Sequence, residues 1–240
     1  MTFPTAQTIY DAIDHTWPAA EYLTTEKWTF RRGAGGGSRV SAATAIGEVS
    51  DGDIVDAEAQ MALWSQSALF MIRDGETGLD QQLERLGYDI KDPVTLYAAP
   101  LEGLTQRRPP PVSSFVSWPP LASQKEIWAD GGIGPERLAI MGRAEGPKTT
   151  LLGRANDTPT GTVYVGISGA QAMIHALEVR ADMRQSGMGR ILTTAAAFWA
   201  KSQGASYLSL ATTDANVAAN RLYSSLGMQV VGQYHYRIKR

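Results

Sequence analysis

A chain of 240 residues with a formal net charge of −2 has room for one large domain or two small ones, and is too evenly charged to bind nucleic acid by general basicity. It contains no cysteine, which excludes disulfides, thiolate catalysis and cysteine-based metal sites; His15, His175 and His235 are scattered, so no metal is expected. No apolar run approaches a membrane span, and the first residues carry neither a basic region nor an apolar signal core, so the expectation is a cytoplasmic protein with no membrane partner.

In chain order, residues 4–23 read as a helix with Ile9, Ile13 and Trp17 on one face and Pro18 as an interruption. Trp28–Arg32 alternates like a strand. The glycines from Gly33 to Gly37 follow, and then a second strand from Arg39 to Thr44. These glycines read as a hairpin turn rather than a phosphate loop, because no helix starts after them. Asp53–Ser65 reads as an amphipathic helix, Leu69–Ile72 as a buried strand, Thr77–Gly87 as a helix closed by Gly87, and Val94–Ala99 as a strand. Gln106–Pro111, with its triple proline, is the expected linker between a lobe over 1–105 and a domain over 112–240.

After the linker, Phe115–Trp118 reads as a strand, Ser123–Asp130 as a helix capped by Ser123, and Pro135–Met141 as a helix opened by its proline. Lys148–Ala155, Gly161–Ser168 and Met173–Val179 form a three-strand meander. A helix over 188–203, a strand Tyr207–Thr212, a helix over 216–226 and a strand Gln229–Ile238 complete the chain. Strand alternation places Met173, His175 and Leu177 on one face and Ile174, Ala176 and Glu178 on the other.

Two motifs carry chemistry. The first is a strand ending at Val179, then Arg184-Gln185-Ser186-Gly187-Met188-Gly189-Arg190, then a helix. A glycine loop feeding a helix N-terminus offers unpaired N–H groups, a partial positive charge and close backbone approach to an anion. No Gly-Lys-Ser/Thr follows, which weakens a P-loop reading. The second motif is Asn216-x-x-Ala219-x-x-Leu222-Tyr223-x-x-Leu226-Gly227-Met228.

In that order the two motifs resemble those of the GNAT N-acetyltransferases, with Met228 where that family usually has Phe. The resemblance covers about 112–240. It implies an α/β fold, with a mixed, mostly antiparallel twisted sheet flanked by helices, here preceded by a smaller α/β lobe. It also implies transfer of acetyl from acetyl-CoA to an amine acceptor, by a monomer or homodimer. Backbone amides of Gln185–Arg190, with Arg184 nearby, would hold the pyrophosphate; Leu177–Val179 would pair with the pantetheine arm; Asn216 would bond that arm and also cap its helix; Tyr223 would protonate the leaving thiolate. His175-Ala176-Leu177-Glu178-Val179 is similar to the His-Ala-Leu-x-Val of arylalkylamine N-acetyltransferases, where that His serves amine deprotonation; Met173 stands where they have a second His. His175 is therefore a candidate base, expected to titrate near neutrality, with Glu178 as the alternative. Trp118, Trp128 and Ile133 are candidate walls of the acceptor pocket, and equally candidate core.

The family ends with one more strand than this chain supplies, so Val94–Ala99 or a second subunit is expected to cover an open edge. The order of elements over 28–100 also matches the second half of a GNAT domain. Glu84-Arg85-Leu86-Gly87-Tyr88 echoes Leu226-Gly227-Met228, without a glycine loop that opens a helix before it. That lobe is expected to be structural. A protein that binds acyl-CoA as a sensor, without turnover, is the alternative function.

Overall fold

A computed structural model describes residues 2–239. Helix α1 (Ala6–Thr16) starts the fold, capped by Thr5, and leads to a small antiparallel sheet of β1 (Glu21–Thr24), β2 (Trp28–Arg32) and β3 (Thr44–Ala45). The glycines lie between two paired strands, as expected, but the second is Thr44–Ala45 and not Arg39–Thr44. The connection is no tight hairpin, however: it runs through Gly33–Gly37 and a 3-10 turn, Ser38–Val40. Helix α2 (Asp51–Leu63) begins in a reciprocal cap between Ser50 and Asp53. Strand β4 (Leu69–Arg73), helix α3 (Thr77–Arg85), strand β5 (Asp89–Pro100) and a helical turn α4 (Leu101–Leu104) follow.

The C-terminal part contributes β6 (Ser114–Ser117), α5 (Ala122–Asp130), α6 (Pro135–Arg143), β7 (Lys148–Ala155), β8 (Thr158–Ser168), β9 (Gln171–Val179), α7 (Met188–Ser202), β10 (Tyr207–Thr213), α8 (Val217–Ser225) and β11 (Gln229–Ile238). The expected cap at Ser123 is corrected. Helix α5 starts at Ala122 with Leu121 as its N-cap, and the buried Gln124 side chain accepts the Leu121 N–H at 2.8 Å. Gln124 also bonds Ser117, Thr150 and Thr162, so it ties the helix to three strands.

The main sheet has eight strands in the order β4-β11-β5-β10-β9-β8-β7-β6. All pairs are antiparallel except β9–β10. Strand β5 does more than cover an edge: it is inserted between β10 and β11, with Val94 opposite Thr213 on one side and Tyr234 on the other. β11 in turn lies between β5 and β4. Two β-α-β units, β4-α3-β5 and β10-α8-β11, have thus exchanged their last strands. Both helices span nine residues and both are followed by a Leu-Gly whose glycine has positive φ, +81° at Gly87 and +75° at Gly227. Leu83 of α3 occupies the position that Tyr223 holds in α8, each the buried residue of its helix.

Apolar cores cover both faces of the sheet. Leu192, Ala196 and Ala200 of α7 pack on Leu151, Val163, Ile174 and Leu208. On the opposite face Ile9 and Ile13 of α1 pack on Leu96, Met173, Tyr234 and Tyr236. Trp128, Ile140 and Met141 pack on Trp17 and Tyr164.

Because β5 is buried between two strands, its truncation should be felt by the whole sheet. Leu96→Ala, at a position with no exposure, should destabilise by about 2–5 kcal/mol, read from denaturant midpoints. A fragment starting near Pro111 would leave β10 and β11 without the strand between them. It should fail to unfold cooperatively; a monomeric fragment with a sharp transition would show that β5 is dispensable.

Candidate active site

The site begins with a bulge. Strand β9 pairs with β8 through Tyr164↔His175 and again through Thr162↔Glu178, so Val163 faces two residues, Ala176 and Leu177. Ala176 takes φ +51°, and its carbonyl accepts the Trp128 indole N–H at 2.7 Å. This corrects the expected alternation. Leu177 and Val179 fall on the α7 side with Ile174, while His175 stays on the α1 side. The bulge also ends the pairing of β9 with β10, which runs only over Gln171–Ile174 against Tyr207–Leu210. Beyond that point the two strands separate, and a cleft of about 1100 Å³ opens between them.

One end of the cleft is the loop into α7. Gly187 has φ +85° with open space around it, and no side chain caps the helix start. The first N–H groups of α7, at Met188, Gly189 and Arg190, therefore have no intrahelical acceptor. Gln185, Ser186 and Gly187 are exposed, but the Met188 side chain is buried in the core, so only its backbone faces a ligand. Gly189 has a packing reason of its own: a Cβ there would sit 3.0 Å from Leu222 Cδ2, so the leucine side chain of α8 would have to give way. Arg184 donates to Glu178 at 3.1 Å, and Arg190 donates to the Ser225 hydroxyl at 2.7 Å. Both candidates Arg184 and Glu178 thus lie together at the same wall.

Asn216 is the N-cap of α8, its Oδ1 accepting the Ala219 N–H at 3.1 Å. Tyr223 lines the cleft from α8. Its hydroxyl has no hydrogen-bond partner among the described residues, and burial pushes its pKa well above the ordinary value. Its ring leans on Tyr97 of β5, 5.9 Å between centroids, and the Tyr97 hydroxyl bonds Asn220 at 3.0 Å.

The other end of the cleft is aromatic and comes largely from the N-terminal part. Trp17, Gly36, Gly37, Ser38, Arg39, Tyr234 and Tyr236 line it together with Ile133 and His175. Trp17 stacks on His175 at 4.9 Å. His175 Nε2 lies 2.8 Å from Thr16 Oγ1, which donates onward to the Ala12 carbonyl at 2.6 Å. The Arg39 guanidinium donates to His175 Nδ1 at 3.3 Å. These contacts fix the tautomer: Nε2 carries the hydrogen and Nδ1 accepts. Burial, and then the charge of Arg39, hold the imidazole pKa well below its ordinary value of 6.5. The expected titration of His175 near neutrality is corrected accordingly.

Of the expected pocket walls, Ile133 lines the cleft. Trp128 does not: it has no exposure and serves the bulge carbonyl instead. Trp118 lies outside the cleft lining, against Tyr164 and Lys148. The place of Trp17, Arg39, Arg137, Tyr234 and Tyr236 in the cleft escaped the sequence reading, because nothing local to them signals the long-range approach.

Residues 113–228 match the profile of the acetyltransferase (GNAT) family. Residues 113–228 thus form a GNAT-family acetyltransferase domain. An uncharacterised N-acetyltransferase of Bacillus subtilis (strain 168), YobR, is 27% identical over 240 residues, covering 94% of this chain and 95% of its own. Among solved structures, a functionally unknown conserved protein from Staphylococcus epidermidis superposes with a TM-score of 0.72 at 13% identity, covering 94% of this chain and 96% of its own. A GCN5-related N-acetyltransferase from Kribbella flavida does so with a TM-score of 0.68 at 17% identity, covering 99% and 96%. At those identities the two superpositions speak to the fold, and both extend over the N-terminal part as well as the GNAT domain.

The buried neutral His175 has a consequence for stability. Its folded pKa is depressed, so the unfolded chain binds a proton that the native acyltransferase refuses. Stability is unaffected above about pH 6.5 and falls as pH drops below it, by about 1.4 kcal/mol per unit, until the native imidazole also titrates. Urea unfolding at pH 7 and pH 5.5 should show this loss in the wild type and a smaller one in His175→Gln. Equal losses would mean that other groups carry the acid sensitivity.

Proposed function

We propose that this chain is an acetyl-CoA-dependent N-acetyltransferase acting on a primary amine of a small molecule or peptide by direct attack in a ternary complex. The observation that carries the reading is the parting of β9 and β10 after Ile174 and Leu210. It leaves one side of Leu177–Val179 without a strand partner, between an anion-ready loop and an aromatic cleft. An extended thioester arm can add to that free backbone edge as a strand would. The pyrophosphate would then meet the N–H groups of Met188–Arg190 and the dipole of α7. Asn216 keeps its amide N–H₂ for the arm while its oxygen caps α8.

The amine nitrogen attacks the thioester carbonyl carbon, the C–S bond breaks, and the leaving thiolate takes a proton. Tyr223 is the donor in this scheme. Burial keeps its hydroxyl protonated at any working pH, and no other group competes for that hydrogen. The amine gives up its proton to His175 Nδ1, which must first be released by Arg39, or to Glu178, which must be released by Arg184. A base held by so weak a contact as the 3.3 Å Arg39 bond is open to exchange with a bound ligand. We also take the N-terminal part to hold no second acetyl-CoA site. Its β4-α3-β5 unit has Leu83 in place of Tyr223, and the glycines Gly33–Gly37 of this part open a 3-10 turn rather than an α-helix.

Acetyl-CoA should raise the melting temperature of the wild type, where ATP does not, and a panel of amines should include substrates scored by thiol release. Binding without turnover on any amine would overturn the reading. Gly187→Val, forced into a backbone region unsuited to valine, should lose the acetyl-CoA shift with its circular dichroism unchanged; an undiminished shift would remove the loop from the donor site. Tyr223→Phe should lower kcat by about 10²-fold or more while acetyl-CoA affinity stays at the wild-type level. An effect confined to stability or KM would make Tyr223 a packing residue.

A further inference from the structure

The acceptor end of the cleft holds two guanidiniums, of Arg39 and Arg137, that lack carboxylate partners among the described residues. Arg39 reaches it from the 3-10 turn after the glycine loop and is partly buried. Its Nε lies 3.4 Å from the Tyr234 hydroxyl and its Nη1 3.3 Å from His175 Nδ1, both neutral groups. Three other guanidiniums removed from water are matched by carboxylates, Arg31 by Asp14 at 2.6 Å, Arg73 by Glu76 at 2.6 Å and Arg237 by Asp80 at 2.7 Å, whereas Arg143, away from the cleft lining, donates to the Pro18 carbonyl. A desolvated charge without a counter-charge is costly, and proteins keep such groups where a ligand supplies the missing partner.

Arg137, on α6, lines the same cleft as Arg39, and its Nη2 lies 3.4 Å from where a Cβ on Gly37 would be, ordinary contact distance from the glycine loop that leads to Arg39. Among the described residues the Arg137 guanidinium makes no hydrogen bond or ion pair. The carboxylates that line the cleft do not answer either arginine. Glu178 is bound to Arg184, and Asp92 forms no ion pair with Arg39 or Arg137. The donor's own phosphates have a place at the opposite end, past Val179, on the far side of the Ala176 bulge from His175 and Arg39.

Building on the N-acetyltransferase reading, we propose that the amine acceptor carries an oxyanion, a carboxylate or a phosphate, held by Arg39 and Arg137 while Trp17, Tyr234 and Tyr236 pack its carbon skeleton. The planar guanidinium fork suits either anion. The aromatic walls supply contact area at little entropic cost.

Two matched pairs test this with saturating acetyl-CoA: 2-phenylethylamine against phenylalanine, and ethanolamine against O-phosphoethanolamine, scored by thiol release. In at least one pair the anionic member should have a kcat/KM about 10- to 100-fold higher, and the responding pair identifies the oxyanion. Arg39→Gln should bring that ratio towards one through the acceptor KM, Arg39→Lys should fall between, and Arg137→Gln should lower it less. The acetyl-CoA melting shift should persist in all three variants, which shows that they fold and still hold the donor. Calorimetric titration of the CoA-bound protein with the same compounds reads the inference without turnover. Absence of turnover on every amine would overturn the transferase reading alone. Equal binding of the neutral and anionic members in both pairs, or a preference undiminished in Arg39→Gln and Arg137→Gln, would overturn this inference.

Discussion

The single extra residue in β9 is the constraint on which the site depends. A regular strand at this place would keep pairing with β10 to its end, and the sheet would be closed. The bulge at Ala176 turns β9 away, sends Leu177 and Val179 to the opposite face from His175, and leaves a gap with backbone exposed on one side. A non-glycine residue at φ +51° is held against its preference, at a cost of order 1–3 kcal/mol. The compensation is visible: the Ala176 carbonyl, freed from the ladder, receives the indole N–H of a fully buried tryptophan. Trp128 therefore acts on the site through the backbone, without touching the cleft.

The cleft is a joint product of the two halves of the chain. The loop into α7 and the α8 cap are built from the C-terminal part alone. The tyrosine poised over the gap is backed by Tyr97 of β5, and the far wall is Trp17 and the turn bearing Arg39. This arrangement gives the cleft two cationic ends with an uncharged middle, where a histidine is kept neutral by burial and by a neighbouring guanidinium. A low-dielectric middle strengthens every interaction of a polarised carbonyl placed there.

What the sequence made legible was local. Pro135 at a helix start, Gly87 and Gly227 after helices, Asn216 before α8 and the glycine loop before α7 all act within one turn of themselves, and the structure has each in that setting. The strands from β2 onward also followed from periodicity in order, but β1, Glu21–Thr24, lies where the reading extended the first helix to residue 23. The bulge was invisible, because Ala176 has no residue-type signature for positive φ, and alternation was extrapolated through it. The aromatic end was invisible for a different reason: Arg39 and His175, or Thr16 and His175, meet only after the chain has folded across more than a hundred positions. Burial moved the expectation for His175, since an imidazole's titration is a property of its surroundings and no motif encodes those. The α5 cap was misplaced by two residues because Gln124, a side chain with its own tertiary partners, outcompeted the hydroxyl of Ser123.

The inserted strand β5 bears on the order of events during synthesis. Its two neighbours, β10 and β11, begin at Tyr207 and Gln229, more than a hundred residues downstream of Asp89. Until those segments have left the ribosome, Val94–Ala99 has no ladder to join, and its apolar face and unpaired backbone wait in the open. β4, whose sheet partner is β11, waits with it. Such separation raises the contact order and slows the closing step. A stalled or truncated nascent chain would present exactly one kind of hazard, an extended apolar strand without neighbours, and it is there that a holding chaperone would find its binding segment.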